Sequence, residues 1–556
     1  MTWESYKSQI EAAGKPQEDW YILGIDLGTT NSVVSYWDSQ NRKPEPIDIS
    51  NGFGKIPMPS VVQFRPDTEP GAGADAGEWL VGEEAFRALK IYPQTTIRSI
   101  KRRMGTAKTV RLAGKDYLPE EISAKILTEL LNYVQSMNPK AEIAGVVVSV
   151  PYDFDDAAKK ATIRACELAG LSDKLICLIE EPKAAALAYN FRHQLQKGEK
   201  ILVFDFGGGT LDITLFHVAD KDDRHIKIQV ISEGGEAFHG GDNIDESLAD
   251  MCFGLIEAKT GQKPGDIAIE NQAEIAIRSR EAKERLSGVK SFRIPFTFCI
   301  PPFVEQLTRD AFEERIRPFI EKTRKLVLKA LRECYTGAVS PEAVDRVLLE
   351  GGSSQAPWVK AMLTGIFNDE SKIYTSEKPA VDISTGAAYY AAMKMGLLSH
   401  PDMEDEKISV EFEVTVPHDI GLEIENNGKK AFYPMIRRGT SYALAKKSQV
   451  FTLSGDTASD KTGGINEMTR FSLKIMERID KEDKIENCRL IGEVEITGLP
   501  ERPSGKTRLK ITLAVDEESG LVRGNVEDLG YAGEFEASGF EREFEPERFE
   551  KTIMEG

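Results

Sequence analysis

Apolar and polar positions along this chain follow two different rhythms. Over 21–400, short apolar runs alternate with amphipathic stretches. The runs at 21–26, 145–150, 201–206 and 346–349 are rich in β-branched residues and are soon followed by Gly or Pro, which predicts buried strands. Between them, 119–134 places Ile122, Ile126, Leu130 and Val134 on one helical face. A second helix is predicted over 155–170, between an Asp start and a Gly stop. A third opens at Glu180-Glu181-Pro182, with proline in the first turn. Strands alternating with helices indicate an α/β domain whose sheets are covered by helices.

The second rhythm has period two. Ile408, Val410, Phe412, Val414 and Val416 alternate with polar residues, as do Phe471, Leu473 and Ile475, and Leu509, Ile511, Leu513 and Val515. Turn residues at Asn427-Gly428 and Glu518-Ser519-Gly520 punctuate them, so this part is an all-β unit. The charged, proline-containing stretch 400–407 predicts a linker. The expected organisation is an N-terminal extension over 1–20, an α/β domain over 21–398, a linker over 399–411, a β unit over 412–545 and a tail over 546–556. Two or more cores are expected in any case, because 556 residues exceed what one ordinary core supports.

Composition narrows the partners. Lys and Arg number 71 against 90 Asp and Glu, a formal charge of −19, which argues against nucleic acid as the main partner. Lys101-Arg102-Arg103 is a short basic run and reads as a solvated helix face. The six cysteines form no C-x-x-C pair and the six histidines are scattered, so no zinc-site spacing exists. Sparse cysteine, a polar 1–19 and the lack of any 18-residue apolar window predict a cytoplasmic protein with no membrane partner.

Candidate chemistry comes from an internal repetition. Ile25-Asp26-Leu27-Gly28-Thr29-Thr30-Asn31-Ser32 follows one strand, and Phe204-Asp205-Phe206-Gly207-Gly208-Gly209-Thr210-Leu211-Asp212 follows another. Both read apolar, Asp, apolar, Gly, then Thr, and both run on into a further strand. Glycine lets the backbone turn tightly so that successive N–H groups face phosphate oxygens. The preceding Asp can hold a hydrated Mg²⁺, a cation that takes few carboxylates and keeps its waters. Two such turns predict two similar lobes gripping one triphosphate. Leu348-Leu349-Glu350-Gly351-Gly352-Ser353-Ser354 is a third candidate turn facing phosphate or ribose. Glu181 at its helix start suits either N-terminal capping or the orientation of a water. Gly505-Lys506-Thr507 is not the end of a P-loop, since Pro500 stands where the upstream glycine belongs.

These hairpins, together with Val148-Ser149-Val150-Pro151, Ile179-Glu180-Glu181-Pro182-Lys183-Ala184-Ala185-Ala186-Leu187-Ala188-Tyr189 and Glu350-Gly351-Gly352-Ser353, resemble the DnaK-type heat shock protein 70 chaperone family in order and spacing. The resemblance runs from 21 to about 535. It implies a two-lobed, actin-like nucleotide-binding domain followed by a β-sandwich that captures extended polypeptide, with ATP/ADP and Mg²⁺ as cofactors. It also implies a J-domain co-chaperone or nucleotide exchange factor as partner. By matching motif, Asp26, Glu181 and Asp205 would hold the hydrated metal, with Thr210 beside them as a catalytic group. Gly28, Thr29, Thr30, Asn31, Gly207, Gly208, Gly209 and Thr210 would hold phosphates. Gly240, Gly241, Lys283, Ser287, Gly351, Gly352 and Ser353 would contact the nucleotide, and Pro151 would be the interlobe hinge. Leu422, Phe451, Phe471 and Leu473 match groove positions.

The departures shape the expected activity. Phe86 stands where the family places a lysine against the terminal phosphate, and loss of one preorganised cation costs about 10²–10³ in rate. Slow or impaired hydrolysis follows, with a non-hydrolysing regulatory co-chaperone or scaffold as the alternative. Glu284 and Gln355 replace base-stacking arginines. In Val410-Glu411-Phe412-Glu413 two glutamates interrupt an apolar connector, which predicts weaker docking. Glu425 stands where a groove-arching apolar residue is expected, and the chain stops where a helical lid is expected to begin.

Overall fold

The computed structural model describes residues 1–49, 56–66, 77–112, 114–222, 224–335, 337–400, 403–413, 415–416, 418–426, 429–453, 470–478, 485–503, 505–516 and 522–544. The chain divides into two compact units, Met1–Phe412 and Glu413–Gly556. The turns expected at 427–428 and 518–520, residues 454–469 and the tail expected at 546–556 lie outside the described residues.

The first unit repeats one design twice. In its first lobe, hairpin strands β1 (Trp20–Asp26) and β2 (Asn31–Asp38) pair antiparallel, while β3 (Glu142–Val150) adds to β1 and β4 (Leu175–Glu180) to β3, both in parallel. In the second lobe, β5 (Lys200–Phe206) and β6 (Thr210–Lys221) form the hairpin, while β7 (Arg346–Glu350) adds to β5 and β8 (Ile373–Thr375) to β7, both in parallel. Long apolar runs suit strands covered on both faces, and Val146, Val147 and Val148 are indeed fully buried.

Helices α1 (Glu181–His193) and α2 (Asp382–Lys394) fill the space between the sheets. Their small residues are a steric requirement. A Cβ on Gly386 would stand 1.9 Å from the Ala184 carbonyl oxygen, so only glycine permits this approach. An Arg192–Asp382 ion pair, 2.6 Å, with the carboxylate buried and the guanidinium at the surface, ties the two helices together. The helix predicted over 119–134 spans Pro119–Met137, and the one predicted over 155–170 spans Asp156–Leu168 with Asp155 accepting from the Ala158 N–H. At the N-terminus, helix Trp3–Ala13 buries Tyr6 and Ile10 against the first lobe.

The segment 408–413 departs from its expected place and behaviour. Strand Ser409–Glu413 adds to the edge of the second lobe's sheet beside His225–Ala237, rather than joining the β unit. Val410 is buried, and the Phe412 ring lies 6.1 Å from that of Phe216. The glutamates do not obstruct this docking, because period two turns Glu411 outward. There it pairs with His225 (3.3 Å) and Lys227 (3.7 Å) and stays hydrated.

The second unit is an antiparallel β-sandwich. One sheet runs Lys429–Ile436, Asp419–Asn426, Arg470–Arg478, Cys488–Thr497; the other runs Lys446–Leu453, Thr507–Val515, Val522–Asp528, Glu541–Phe544. Strand Thr507–Val515 alternates strictly between buried and half-buried positions, as the sequence rhythm predicts. Its core joins Leu422, Leu473, Ile475, Ile496, Leu513 and Val526. Within it, Arg502 makes a bidentate, buried ion pair with Asp528 (2.7 and 2.9 Å). Among the described residues, no helix is long and apolar enough to cross a membrane.

Candidate active site

The two glycine turns meet face to face. A Cβ on Gly208 would stand 1.7 Å from Thr30 Oγ1, and one on Gly209 would stand 2.7 Å from Thr29 Oγ1. The hairpins β1–β2 and β5–β6 therefore bring backbone from both lobes to one place, as their repeated motif predicts. The first turn is tied at its base: the Ser60 hydroxyl donates to the Gly28 carbonyl (2.7 Å), and Asn31 begins the following strand.

Acidic side chains converge below these turns. Glu181, Asp205 and Asp212 each offer a carboxylate oxygen, all within 4.8 Å of one another. Asp26 faces the same cluster and accepts from the Ser149 hydroxyl (3.0 Å). Burial, then repulsion from Glu181, raises Asp26 to about 7 against the pull of Lys101. Burial likewise holds Asp205 and Asp212 well above the usual carboxylate range, with Glu181 and Asp26 adding to it at Asp205, and Asp153 and Asp205 at Asp212. The Thr210 hydroxyl donates to Asp212 (3.0 Å), fixing both side chains. Pro151 is buried just after strand β3, two residues beyond Ser149.

Two residues here escape sequence reasoning. Asp212 lies in the second motif but carries no signal that separates it from a strand residue. Lys101 is the larger correction. The basic run is not a solvated helix face: Ser99, at φ 54°, starts the tight turn Ile100–Arg103, which points Lys101 inward. Its ammonium is buried on the Glu181 carboxylate. Burial opposes that charge, but Glu181 and Asp26 outweigh it and hold Lys101 above its ordinary value. Arg102 turns sideways and donates to the Gly208 and Gly209 carbonyls (3.1 and 3.0 Å) and to Asn243 (3.2 Å). Only Arg103 of the three is exposed. Glu181 consequently does not cap its helix; Glu180 occupies the cap without a side-chain hydrogen bond, and Glu181 answers Lys101.

The remaining expected contacts gather on the second lobe's side. Helix Gly241–Thr260 starts against the second turn, where the Gly241 N–H donates to the Gly207 carbonyl (3.0 Å). Lys283 donates to the Gly241 carbonyl (3.0 Å) and pairs with Asp245 (2.8 Å). A Cβ on Gly241 would meet both Ser353 Oγ (2.3 Å) and Lys283 Nζ (3.0 Å), and Ser287 sits one turn beyond Lys283. Gly240, Gly241 and Gly351 thus pack against the second glycine turn, with Lys283 and Ser353 beside Gly241. A cavity of about 1180 Å³ is bordered by Thr29, Thr30, Arg98, Arg102, Asp242 and Arg280. Phe86 is half-buried, and its ring carries the Arg280 guanidinium at 5.5 Å.

In the sandwich, Leu422 and Leu473 are buried in the interior, at 1% and 4% exposure, and offer no surface to a groove. Phe451 and Phe471 are half-buried, and Phe451 packs edge-on against Tyr433 at 5.2 Å.

The donor set suits Mg²⁺ with a polyphosphate. Hard carboxylate oxygens converge with one buried cation among them, and closely apposed glycine turns present backbone beside them. Comparison with known proteins agrees. The family model described as "Hsp70 protein" matches residues 22–536. The chaperone protein DnaK of Thermosipho africanus (strain TCF52B) is 32% identical over 526 residues, covering 92% of this chain and 79% of that protein. DnaK of Thermotoga petrophila is 31% identical over 525 residues, with the same coverage. DnaK of Ureaplasma parvum serovar 3 is 34% identical over 517 residues, covering 91% and 76%. The repeated two-lobed design, the β-sandwich after it and these matches along nearly the whole chain establish that the chain belongs to the Hsp70 family.

Proposed function

We propose that this Hsp70-type chaperone holds Mg·ATP or Mg·ADP in the cleft of its first unit, hydrolyses ATP slowly, and captures extended polypeptide on its sandwich. The observation that carries the reading is the convergence of Asp26, Glu181, Asp205 and Asp212 beneath two glycine turns from opposite lobes. Asp26, Glu181 and Asp205 hold the hydrated metal, and Asp212 orients Thr210. Thr29, Thr30, Asn31 and the backbone at Gly28 and Gly207 to Gly209 bind phosphates. Lys283, Ser287, Gly240, Gly241, Gly351, Gly352 and Ser353 hold the nucleoside side. Bound Mg²⁺ supplies charge neutralisation at the phosphoryl oxygens. Glu181, excluded from solvent, places a water and accepts its proton at a carboxylate oxygen. Pro151 serves as hinge where the strand leaves the site. A J-domain co-chaperone or exchange factor as partner, and the cytoplasm as location, complete the reading.

A second reading, a regulatory protein that uses nucleotide for conformation alone, draws on Phe86, which places an aromatic ring where the family has a cation. Single-turnover hydrolysis of labelled ATP separates the two. Slow but measurable turnover in the native chain is expected. Turnover confined to a Phe86→Lys variant would replace the first reading by the second. Peptide capture is tested by fluorescence anisotropy of an extended peptide with and without ATP; no binding in either state removes that part.

A further inference from the structure

Lys101 is the basic side chain whose charge bears on both Asp26 and Asp205, and its ammonium is paired with Glu181. Three features fix it there. The tight turn Ile100–Arg103 aims it inward, the Phe154 ring lies 5.9 Å from the ammonium, and Arg102 beside it anchors the turn to the opposite lobe through the Gly208 and Gly209 carbonyls. Phe86 supplies no charge here; its ring is engaged by Arg280 of the other lobe.

We propose that Lys101 reads the terminal phosphoryl group of the bound nucleotide, so that it selects ATP over ADP and provides the cation that Phe86 does not. This rests on the reading of the cleft as a Mg·nucleotide site. A buried ammonium needs an acceptor of opposite charge facing it, and here that acceptor is Glu181. Asp26, Glu181 and Asp205 would hold the divalent cation, whose charge would offset the carboxylates that now face Lys101. Phosphate oxygens then supply the lost partner. In ADP the terminal group is missing, and Lys101 stays on Glu181. The low dielectric around a buried ammonium makes this exchange strongly dependent on the extra phosphate.

The test is calorimetric titration of the whole chain with Mg·ADP and with Mg·ATP, comparing native protein, Glu181→Gln, and Lys101→Met combined with Glu181→Gln. The double variant leaves no unpaired buried carboxylate behind at Glu181, so it folds where Lys101→Met alone could fail. Glu181→Gln serves as the reference, because it removes the carboxylate that Lys101 pairs with while keeping Lys101 itself. In the double variant the ATP-over-ADP preference should fall about 10–100-fold, the worth of one charged hydrogen bond. A double variant that keeps the preference of Glu181→Gln while binding both nucleotides overturns the role of Lys101 and leaves the site intact. Native protein that binds neither Mg·ADP nor Mg·ATP overturns the site itself, and this inference with it.

Discussion

Glu233 shows how single buried charges are managed behind the site. It accepts from the Tyr335 hydroxyl at 2.8 Å, while burial and then Glu180 raise it to about 7, against the pull of Lys183 and Lys159. A raised acid stabilises the fold fully below its ordinary value of 4.5, and that contribution is lost as pH rises through about 7. Thermal melts between pH 5 and 8 should therefore fall more steeply in the native chain than in Glu233→Gln, which keeps an acceptor for Tyr335; parallel curves would contradict the assignment. At the site itself, Asp205→Asn should weaken the protection that Mg·ATP gives against thermal unfolding. Equal protection in both proteins would refute its role.

At the scale of elements, two close fits invite direct tests. Gly386→Ala drives a methyl into the Ala184 carbonyl and should destabilise the first unit by about 1–3 kcal/mol or more in denaturant titration. Val410→Asp places a charge in an apolar niche beside the edge strand His225–Ala237, so it should free that strand and expose it to protease. Resistance equal to the native chain would deny that Val410 holds the strand. The elements also show what the sequence could reveal. Both glycine turns, the strands before them and the helix opening at Glu181-Pro182 were legible, because turn chemistry and apolar runs act locally. The inward turn of Lys101 was not. It depends on a left-handed Ser99 and on a carboxylate 80 positions away, and neither leaves a periodic trace. The strand at 409–413 was legible as a strand, but its partner was not, since period two reports a buried face without naming the sheet that covers it. In the same way, apolar groove candidates and core residues look alike in sequence, and Leu422 and Leu473 proved to be core.

At the scale of the molecule, the sandwich has a hydrophobic core of its own, drawn wholly from beyond residue 413, while the acid cluster and the glycine turns lie in the first unit. Differential scanning calorimetry should show one transition that rises with Mg·ATP. Arg502→Met strands the buried Asp528 carboxylate and should lower a different transition, at a cost of about 3–5 kcal/mol. One cooperative transition that responds to both would contradict separate cores. The central claim is narrower: paired lobes clamp a magnesium nucleotide through Asp26, Glu181 and Asp205. Isothermal titration of the native chain and Asp205→Asn with ATP, with and without Mg²⁺, tests it most directly. The account predicts saturable one-to-one binding to the native chain that weakens at least about tenfold in the variant, with most of the difference vanishing when the metal is chelated. No heat in the native chain, or identical titrations of both proteins with Mg²⁺ present, would contradict it.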